Sequence, residues 1–260
     1  MKIATFNVNS INARLSRVVS WVERASPDVA VLQEIKCVDE KFPAEPFEDL
    51  GYNVAVHGQK TYNGVAILSK HPMDDIEKGL PGDPSDEQAR YIEALVQPND
   101  SAPIRVGGLY LPNGNPAPGP KYEYKLNWMA RLKSHAERLL ETEEAFVLAG
   151  DYNVIPQAED VHDPAAWAQD ALFRPQTRNA FRELLYLGLT DAIRQENAEA
   201  ILYTFWDYQR GAWEKDHGIR IDHILMSPQA ADRFQTAGVD RSERGEEKPS
   251  DHVPVWAEFS

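Results

Sequence analysis

The side chains in this 260-residue chain best suited to chemistry recur in one kind of place, the ends of short apolar runs. Asn7 ends Ile3-Ala4-Thr5-Phe6, and Gln33-Glu34 end Val29-Ala30-Val31-Leu32. Tyr110 lies near the end of the run from Ile104 to Leu111, and Asp151 and Asn153 follow Ala145 to Ala149 at once. Asp222 lies within Ile219 to Leu225, and Asp251-His252 open the closing run around Pro254 to Phe259. Mg²⁺ takes oxygen ligands, keeps several waters and needs only one or two carboxylates besides substrate phosphate oxygens. Glu34 is the expected primary ligand, with Asn7 and Asp251 in support. The set contains no cysteine cluster and no histidine pair at helical spacing, which argues against zinc. Such a set is suited to hydrolysing a phosphodiester.

Each residue also has a local explanation. Asp151 could be a turn or cap residue, Asn7 could cap a helix beginning near Ser10, His252 could be a structural hydrogen bonder, and Tyr110 could be core. Glu34 is harder to explain away, because Leu32 beside it reads as buried and a carboxylate there needs a partner. Joint placement at one edge of the strands favours the chemical reading.

The elements that must hold these residues follow from the pattern. The apolar runs read as strands. Helical spacing links Ile11, Leu15, Val18, Val19 and Val22 between Ser10 and Arg24, with Ser10 and Asn12 as candidate caps. It links Leu126, Met129, Leu132, Leu139 and Leu140 between Lys121 and Glu143, and a weaker helix covers Thr177 to Leu187. The proline-rich stretch from Pro112 to Pro120 reads as a shaped loop. With no linker and no repeat in the sequence, residues 1–260 are expected to form a single α/β domain.

Composition sets few further limits. One cysteine, Cys37, excludes an intrachain disulfide and fits a reducing cytoplasm. The first residues read as a strand rather than a secretion signal, and no apolar run is long enough for a membrane helix. The net charge of −14 speaks against nucleic acid at first sight. Net charge describes the whole surface, however, and a bound metal places its own cation beneath a phosphate.

Six segments resemble the motifs of the exonuclease III family, the bacterial apurinic/apyrimidinic endonucleases of the endonuclease–exonuclease–phosphatase superfamily. They are Lys2–Asn9 (KIATFNVN), Pro27–Lys36 (PDVAVLQEIK), Gly51–Gly64 (GYNVAVHGQKTYNG), Gly150–Asn153 (GDYN), Gly218–Asp222 (GIRID) and Lys248–Trp256 (KPSDHVPVW). They run in order along the whole chain. The LQE, GDxN and SDH boxes belong to the superfamily; QE-x-K, GIRID and the KPSDHxPVW ending are narrower.

The resemblance implies a four-layer α/β sandwich, two facing mixed β-sheets flanked by helices, with the site at one end. It implies incision of DNA 5′ to abasic sites, together with 3′→5′ exonuclease, 3′-phosphodiesterase and 3′-phosphatase activities, using Mg²⁺ or Mn²⁺. The expected partner is double-stranded DNA with abasic sites or 3′ ends, met by a cytoplasmic monomer without a membrane. By position, Glu34 matches the main metal ligand, Asn7 its neighbour and Asp251 a further carboxylate on the metal side. Asp151 matches the residue that activates or orients the attacking water, and Asn153 the amide beside it that binds a phosphate oxygen. Asp151, Asn153 and His252 are expected in the metal set as well. Asp222 and His252 match an Asp–His pair set against the phosphate, and Tyr110 the tyrosine near the leaving group.

DNA contacts are expected from Lys36, Gln59, Lys60, Tyr62, Asn63 and Arg90, and from Asn113 and Lys121 around the proline-rich loop. Trp206 and Trp213 belong to an aromatic cluster with Phe205 and Tyr208 that could line a pocket for an extrahelical abasic sugar or form a core corner. The loop after Tyr110 and the stretch from Ala158 to Thr177 vary within the family, and both could shift the balance of incision against exonuclease. The alternative is another phosphoesterase of the superfamily, of inositol-phosphate phosphatase or sphingomyelinase type.

Overall fold

The computed structural model describes residues 1–99, 101–198 and 201–260. Twelve strands are found among them, β1 (Lys2–Asn7), β2 (Val29–Gln33), β3 (Asn53–His57), β4 (Val65–Ser69), β5 (Met73–Lys78), β6 (Tyr91–Val96), β7 (Ile104–Tyr110), β8 (Phe146–Asp151), β9 (Thr190–Asp191), β10 (Asp222–Met226), β11 (Phe234–Val239) and β12 (Val255–Phe259). The α-helices are α1 (Ile11–Ala25), α2 (Glu45–Glu48), α3 (Pro120–Glu141), α4 (Pro164–Trp167), α5 (Pro175–Tyr186), α6 (Ala192–Glu196) and α7 (Pro228–Ala231).

The strands form two mixed six-stranded sheets, ordered β11-β12-β1-β2-β4-β3 and β5-β6-β7-β8-β10-β9. Each sheet has one parallel pair joined by a long helix: β1 and β2 through α1, and β7 and β8 through α3. The sheets face each other over a core that includes Ile3, Val31, Ile67, Val106, Val147, Ala149, Ile224 and Val255. Trp21, Val18 and Val22 of α1 cover the outer face of the first sheet with Phe6 and Leu32. Trp128, Met129 and Leu132 of α3 and Phe181 and Leu184 of α5 cover the second with Leu109 and Leu148. The expected α/β sandwich of four layers is therefore present.

Parallel strands end, and their antiparallel neighbours begin, at the same edge of a sheet. Asn7 thus closes β1 beside Gln33 at the end of β2, and Tyr110 closes β7 beside Asp151 at the end of β8, which faces Asp222 at the start of β10. Gly150 is needed for this register, because a Cβ there would collide with the carbonyl oxygen of Leu109.

Some expected boundaries move. Asp222 opens β10 instead of lying inside a strand, because the chain before it leaves the sheet and Ile219 pairs with Phe205 and Val161. Asp251 and His252 precede β12 in a bend, with His252 bridged to Phe205. Ser10 caps α1 by accepting from the Ala13 N–H, while Asn12 lies exposed inside the helix.

Candidate active site

Asn7 is fully buried, and its Nδ2 donates to Glu34 Oε1 and to Asp151 Oδ2, both at 2.9 Å. One amide thus holds together two carboxylates that belong to different sheets. Its own Oδ1 accepts from the Asn9 N–H at 3.0 Å. Asn7 is therefore committed to the cluster, and the cap of α1 is left to Ser10.

Glu34 stands just past β2 with φ 51°, in the left-handed region that a non-glycine residue enters only when its surroundings hold it there. The peptide groups around it do so, through Ser10 N–H to Glu34 O at 2.7 Å and Ile35 N–H to Gly64 O at 3.2 Å. Its Oε2 lies 2.9 Å from Lys36 Nζ. Burial works to raise the Glu34 pKa, but hydrogen bonds from Lys36 and Asn7 outweigh it and hold the carboxyl below its ordinary value.

Asp151 is a turn residue as well as a member of the cluster. Its Oδ1 accepts from the Asn153 N–H at 2.8 Å, while Oδ2 faces Asn7 and, at 3.7 Å, His252 Nε2. Burial pushes its pKa up, and the neighbouring Asp222 and Glu34 charges add to this against the pull of His252. His252 Nδ1 lies 2.9 and 3.1 Å from the two oxygens of Asp222. Burial alone would lower the imidazole pKa, but Asp222 and Asp151 prevail and raise it, so His252 keeps its proton at neutral pH. Asp222 is itself set in place by Thr204, whose Oγ1 accepts from the N–H groups of Ile221 and Asp222.

Asn153 has φ 48°, and its Nδ2 donates to Leu111 O at 2.9 Å. Its Oδ1 accepts from Asn113 Nδ2 at 3.1 Å. The Tyr110 hydroxyl bonds Glu34, and burial followed by the charges of Glu34 and Asp151 keeps its proton on well beyond the ordinary range. Asp251 enters through Asn9, whose Nδ2 donates to Asp251 Oδ1 at 3.0 Å and whose Oδ1 accepts from Lys36 Nζ at 2.5 Å. Glu34, Tyr110, Asp151, Asn153, Asp251 and His252 all line one cleft of about 200 Å³, together with Asn113, Trp167 and Phe205.

A divalent cation fits this donor set. Glu34, Asp151 and His252 each offer a ligand atom, all within 4.8 Å of one another. Two carboxylates turned toward one amide nitrogen, with a lysine ammonium against the outer oxygen of Glu34, mark a place where positive charge is favoured. The oxygen-rich composition suits a hard ion. Asn7 and Asp251 stand beside these three through the bonds just given, and Asn153 faces the cleft next to Asp151.

The residues expected at DNA divide by exposure. Lys60, Tyr62, Asn113 and Lys121 are exposed, and Arg90 is half-buried, stacked 4.9 Å from the Tyr110 ring centre. Gln59 and Asn63 bond each other at 2.8 Å and shape their loop from within, and Lys36 is engaged with Glu34. Trp206 is wholly buried, its indole N–H donating to Asp216 at 3.0 Å and its ring set edge-on to half-buried Trp213. Trp206 supports the surface from below, whereas Phe205 reaches the cleft.

Sequence reasoning missed Asn9, Thr204 and Lys125. Lys125 is wholly buried on α3, and its Nζ donates to the carbonyl oxygens of Pro112, Asn113 and Asn153 at 3.2, 3.1 and 2.6 Å. It ties the loop after Tyr110 to Asn153. Its signal was a cation in phase with Tyr122, Trp128, Met129 and Leu132 on the apolar face of a helix. Gly114 leaves it room, with φ 90° and a hypothetical Cβ 2.6 Å from Lys125 Cδ.

Residues 4–252 match the model of the endonuclease/exonuclease/phosphatase family. The chain is 36% identical to exodeoxyribonuclease III of Haemophilus influenzae, covering all of both chains. It is 28% identical to the DNA repair nuclease APEX1 of Danio rerio, over 98% of this chain and 81% of that one. An AP endonuclease from Archaeoglobus fulgidus superposes with a TM-score of 0.94 at 39% identity, covering 100% of this chain and 99% of that one. The 3′-5′ exonuclease NExo from Neisseria meningitidis superposes with a TM-score of 0.95 at 41% identity over the whole of both chains. A 3′ phosphatase NExo structure bound to a product DNA hairpin gives the same TM-score and identity, covering 100% of this chain and 99% of that one. No described helix is long and apolar enough to cross a membrane. This chain belongs to the endonuclease/exonuclease/phosphatase family.

Proposed function

We propose that this protein is a Mg²⁺-dependent (or Mn²⁺-dependent) DNA repair nuclease that incises DNA 5′ to abasic sites and acts at 3′ ends as exonuclease, phosphodiesterase and phosphatase. The observation that carries the reading is one compact cluster at the cleft. Glu34, Asp151 and His252 bring a ligand atom each within 4.8 Å, Asn7 bonds both carboxylates, Asp251 is tied in through Asn9, and Asp222 holds His252 from behind. Full-length similarity to an exodeoxyribonuclease III and to an AP endonuclease structure narrows the phosphoester to DNA.

A bound divalent ion would neutralise charge on the phosphate and polarise it toward attack. Glu34 would be its chief ligand, with Asn7 and Asp251 beside it and Asp151 and Asn153 within reach, and His252 could join them only after losing its proton. Asp151 holds an acceptor oxygen toward the cleft, suited to orient a water and take its proton. His252, protonated and fixed by Asp222, donates to a phosphate oxygen as charge builds there. Asn153 offers its amide to a further phosphate oxygen, and Tyr110 keeps its proton near the leaving oxygen.

The cleft adjoins two further hollows, which suits a polymer better than a small phosphate ester. On one side it shares Asn113 and Asn115 with a hollow lined by Arg90 and Lys121. On the other it shares Trp167, Phe205, Asp207 and Ile219 with an aromatic one. Lys36, Gln59, Lys60, Tyr62, Asn63, Trp206 and Trp213 are proposed to contact or brace the DNA around them. A monomer in the cytoplasm is part of the same proposal, the lone thiol of Cys37 being free and buried.

The test offers an abasic duplex, a recessed 3′ end, a 3′-phosphate duplex and an inositol phosphate in parallel with Mg²⁺. Turnover of the DNA substrates alone is expected. Turnover of the inositol phosphate alone contradicts the reading.

A further inference from the structure

We infer that Arg14 is a positioning residue for the metal side of the cleft, its guanidinium fixing Asn9 and Asp251 in place beside Glu34. The inference rests on the metal-dependent reading above and adds to it a residue from outside the cleft. Arg14 is half-buried on α1 and lines a separate hollow with Arg17 and Lys248.

Neither Asn9 nor Asp251 is held by a sheet. Asn9 lies just past β1, and Asp251 lies in the bend before β12. Asn9 and Ser10 have φ of 43° and 88°, values that residues with side chains adopt only when their surroundings hold them there. The Asn9 side chain is nevertheless the link between the two carboxylates of the metal side. Its Nδ2 donates to Asp251 Oδ1 at 3.0 Å, and its Oδ1 accepts from the Lys36 ammonium that also pairs with Glu34. That link is only as firm as the two loops that carry it.

Arg14 ties those loops to each other. One terminal nitrogen, Nη1, donates to Asn9 O, while Nε donates to Pro249 O at 3.0 Å, two residues before Asp251. The other terminal nitrogen, Nη2, donates to the Tyr208 hydroxyl at 2.7 Å, and that hydroxyl donates on to Pro249 O at 3.0 Å. A planar guanidinium can meet three acceptors in fixed directions, which a lysine ammonium on a flexible stem cannot reproduce. The helix bends at the residue that makes the clamp, Arg14 itself having φ −126° and ψ 19°. Among the described residues no carboxylate forms an ion pair with Arg14, so its donors serve geometry and not charge pairing.

Position and charge predict opposite signs. Removing a cation near a metal site should, by Coulomb repulsion alone, tighten the binding of a second cation. Removing a clamp should weaken it.

The experiment titrates Mn²⁺ into the full chain by calorimetry without DNA. Arg14→Ala is expected to weaken Mn²⁺ binding about tenfold, the scale for losing a group that orients a metal ligand. Millimolar guanidinium should restore most of the affinity, and methylammonium at the same concentration should not. Tyr208→Phe keeps every charge and alters an exposed side chain, and it should weaken binding in the same direction by a smaller factor. Unchanged or tighter binding in Arg14→Ala, or weakening that guanidinium leaves uncorrected, overturns the role. If Arg14→Ala does not fold, Tyr208→Phe decides alone, and unchanged affinity there overturns it. Absence of cleavage on every DNA substrate would sink the nuclease reading and leave this test standing, because the titration uses no DNA. An unsubstituted protein that takes up no Mn²⁺ overturns both.

Discussion

Asp222 grips His252 with both carboxylate oxygens, 2.9 and 3.1 Å from Nδ1. This leaves the opposite nitrogen, Nε2, facing Asp151 at 3.7 Å and the cleft beyond. The carboxylate fixes which face of the ring is free and keeps it protonated. Asp222→Asn removes the charge while keeping the shape. We expect it to lower kcat by about 10²–10⁴-fold with DNA affinity nearly unchanged, as read by single-turnover cleavage beside equilibrium binding. A large loss of binding with normal turnover at saturation would refute the role.

Glu34 bonds both Asn7 and Lys36, and Glu34→Gln keeps its volume while removing its charge. The Mg²⁺ concentration for half-maximal cleavage should rise at least about tenfold. Calorimetric titration with Mn²⁺ in the absence of DNA should show a parallel weakening. Chelation by EDTA should stop all cleavage by the unsubstituted protein, and addition of Mg²⁺ should restore it.

Lys125 is a buried amine, its pKa brought down to about 7 by burial, whose three carbonyl partners come from the Tyr110 loop and Asn153. Lys125→Met leaves those oxygens without a donor. Urea unfolding should show a loss of about 2 kcal/mol, the scale for leaving buried polar groups without a partner. Activity should fall as well, because Asn113 and Asn153 lose their common anchor.

His223 carries the pH dependence of stability most clearly. It is wholly buried, its Nε2 donating to Val154 O and its Nδ1 accepting from Arg220, itself held by Asp160 and Asp191. Burial and then the Arg220 charge lower its pKa from 6.5 to about 4. The unfolded chain therefore takes up this proton first as pH falls. Stability from this group is complete above pH 6.5 and drains away between 6.5 and 4, by no more than about 3 kcal/mol at 1.36 kcal/mol per unit. Denaturant midpoints measured across that window should fall with acid, and His223→Gln should flatten the slope.

The strands legible in the sequence were the interior ones. β2, β4, β7 and β8 have neighbours on both sides and helices or a sheet on both faces, so their residues are apolar almost without a break. β3 and β5 are edges, and β5 is largely exposed and broken by a bulge, so neither shows such a run. β6 hides behind Glu93, a buried carboxylate that periodicity counts as polar but that His135, Tyr91 and Arg105 satisfy. β9 has two residues, and β11 is an edge strand interrupted by a bulge.

For the site, residue type and strand-end placement picked out the members, but not how they join. The bond from Asn7 to Asp151 spans 144 positions and exists only because two sheets meet. Asp151 proved to be both the turn residue and the cluster residue, two readings that the sequence set against each other. Trp206 and Phe205 are adjacent in the sequence, yet one is core and the other lines the cleft. Alternation along an irregular segment decides that, and composition does not reveal it.

Attack by water at phosphorus is the claim most directly open to measurement. An abasic duplex is cleaved with Mg²⁺ in water enriched in ¹⁸O, and both new ends are analysed by mass. The account predicts one ¹⁸O in the 5′-phosphate on the abasic residue and an unmodified 3′-hydroxyl on the other side, with nothing formed in EDTA. Unlabelled phosphate with an unsaturated sugar at the 3′ end, formed with or without metal, would mean that the backbone is broken by elimination and would contradict it.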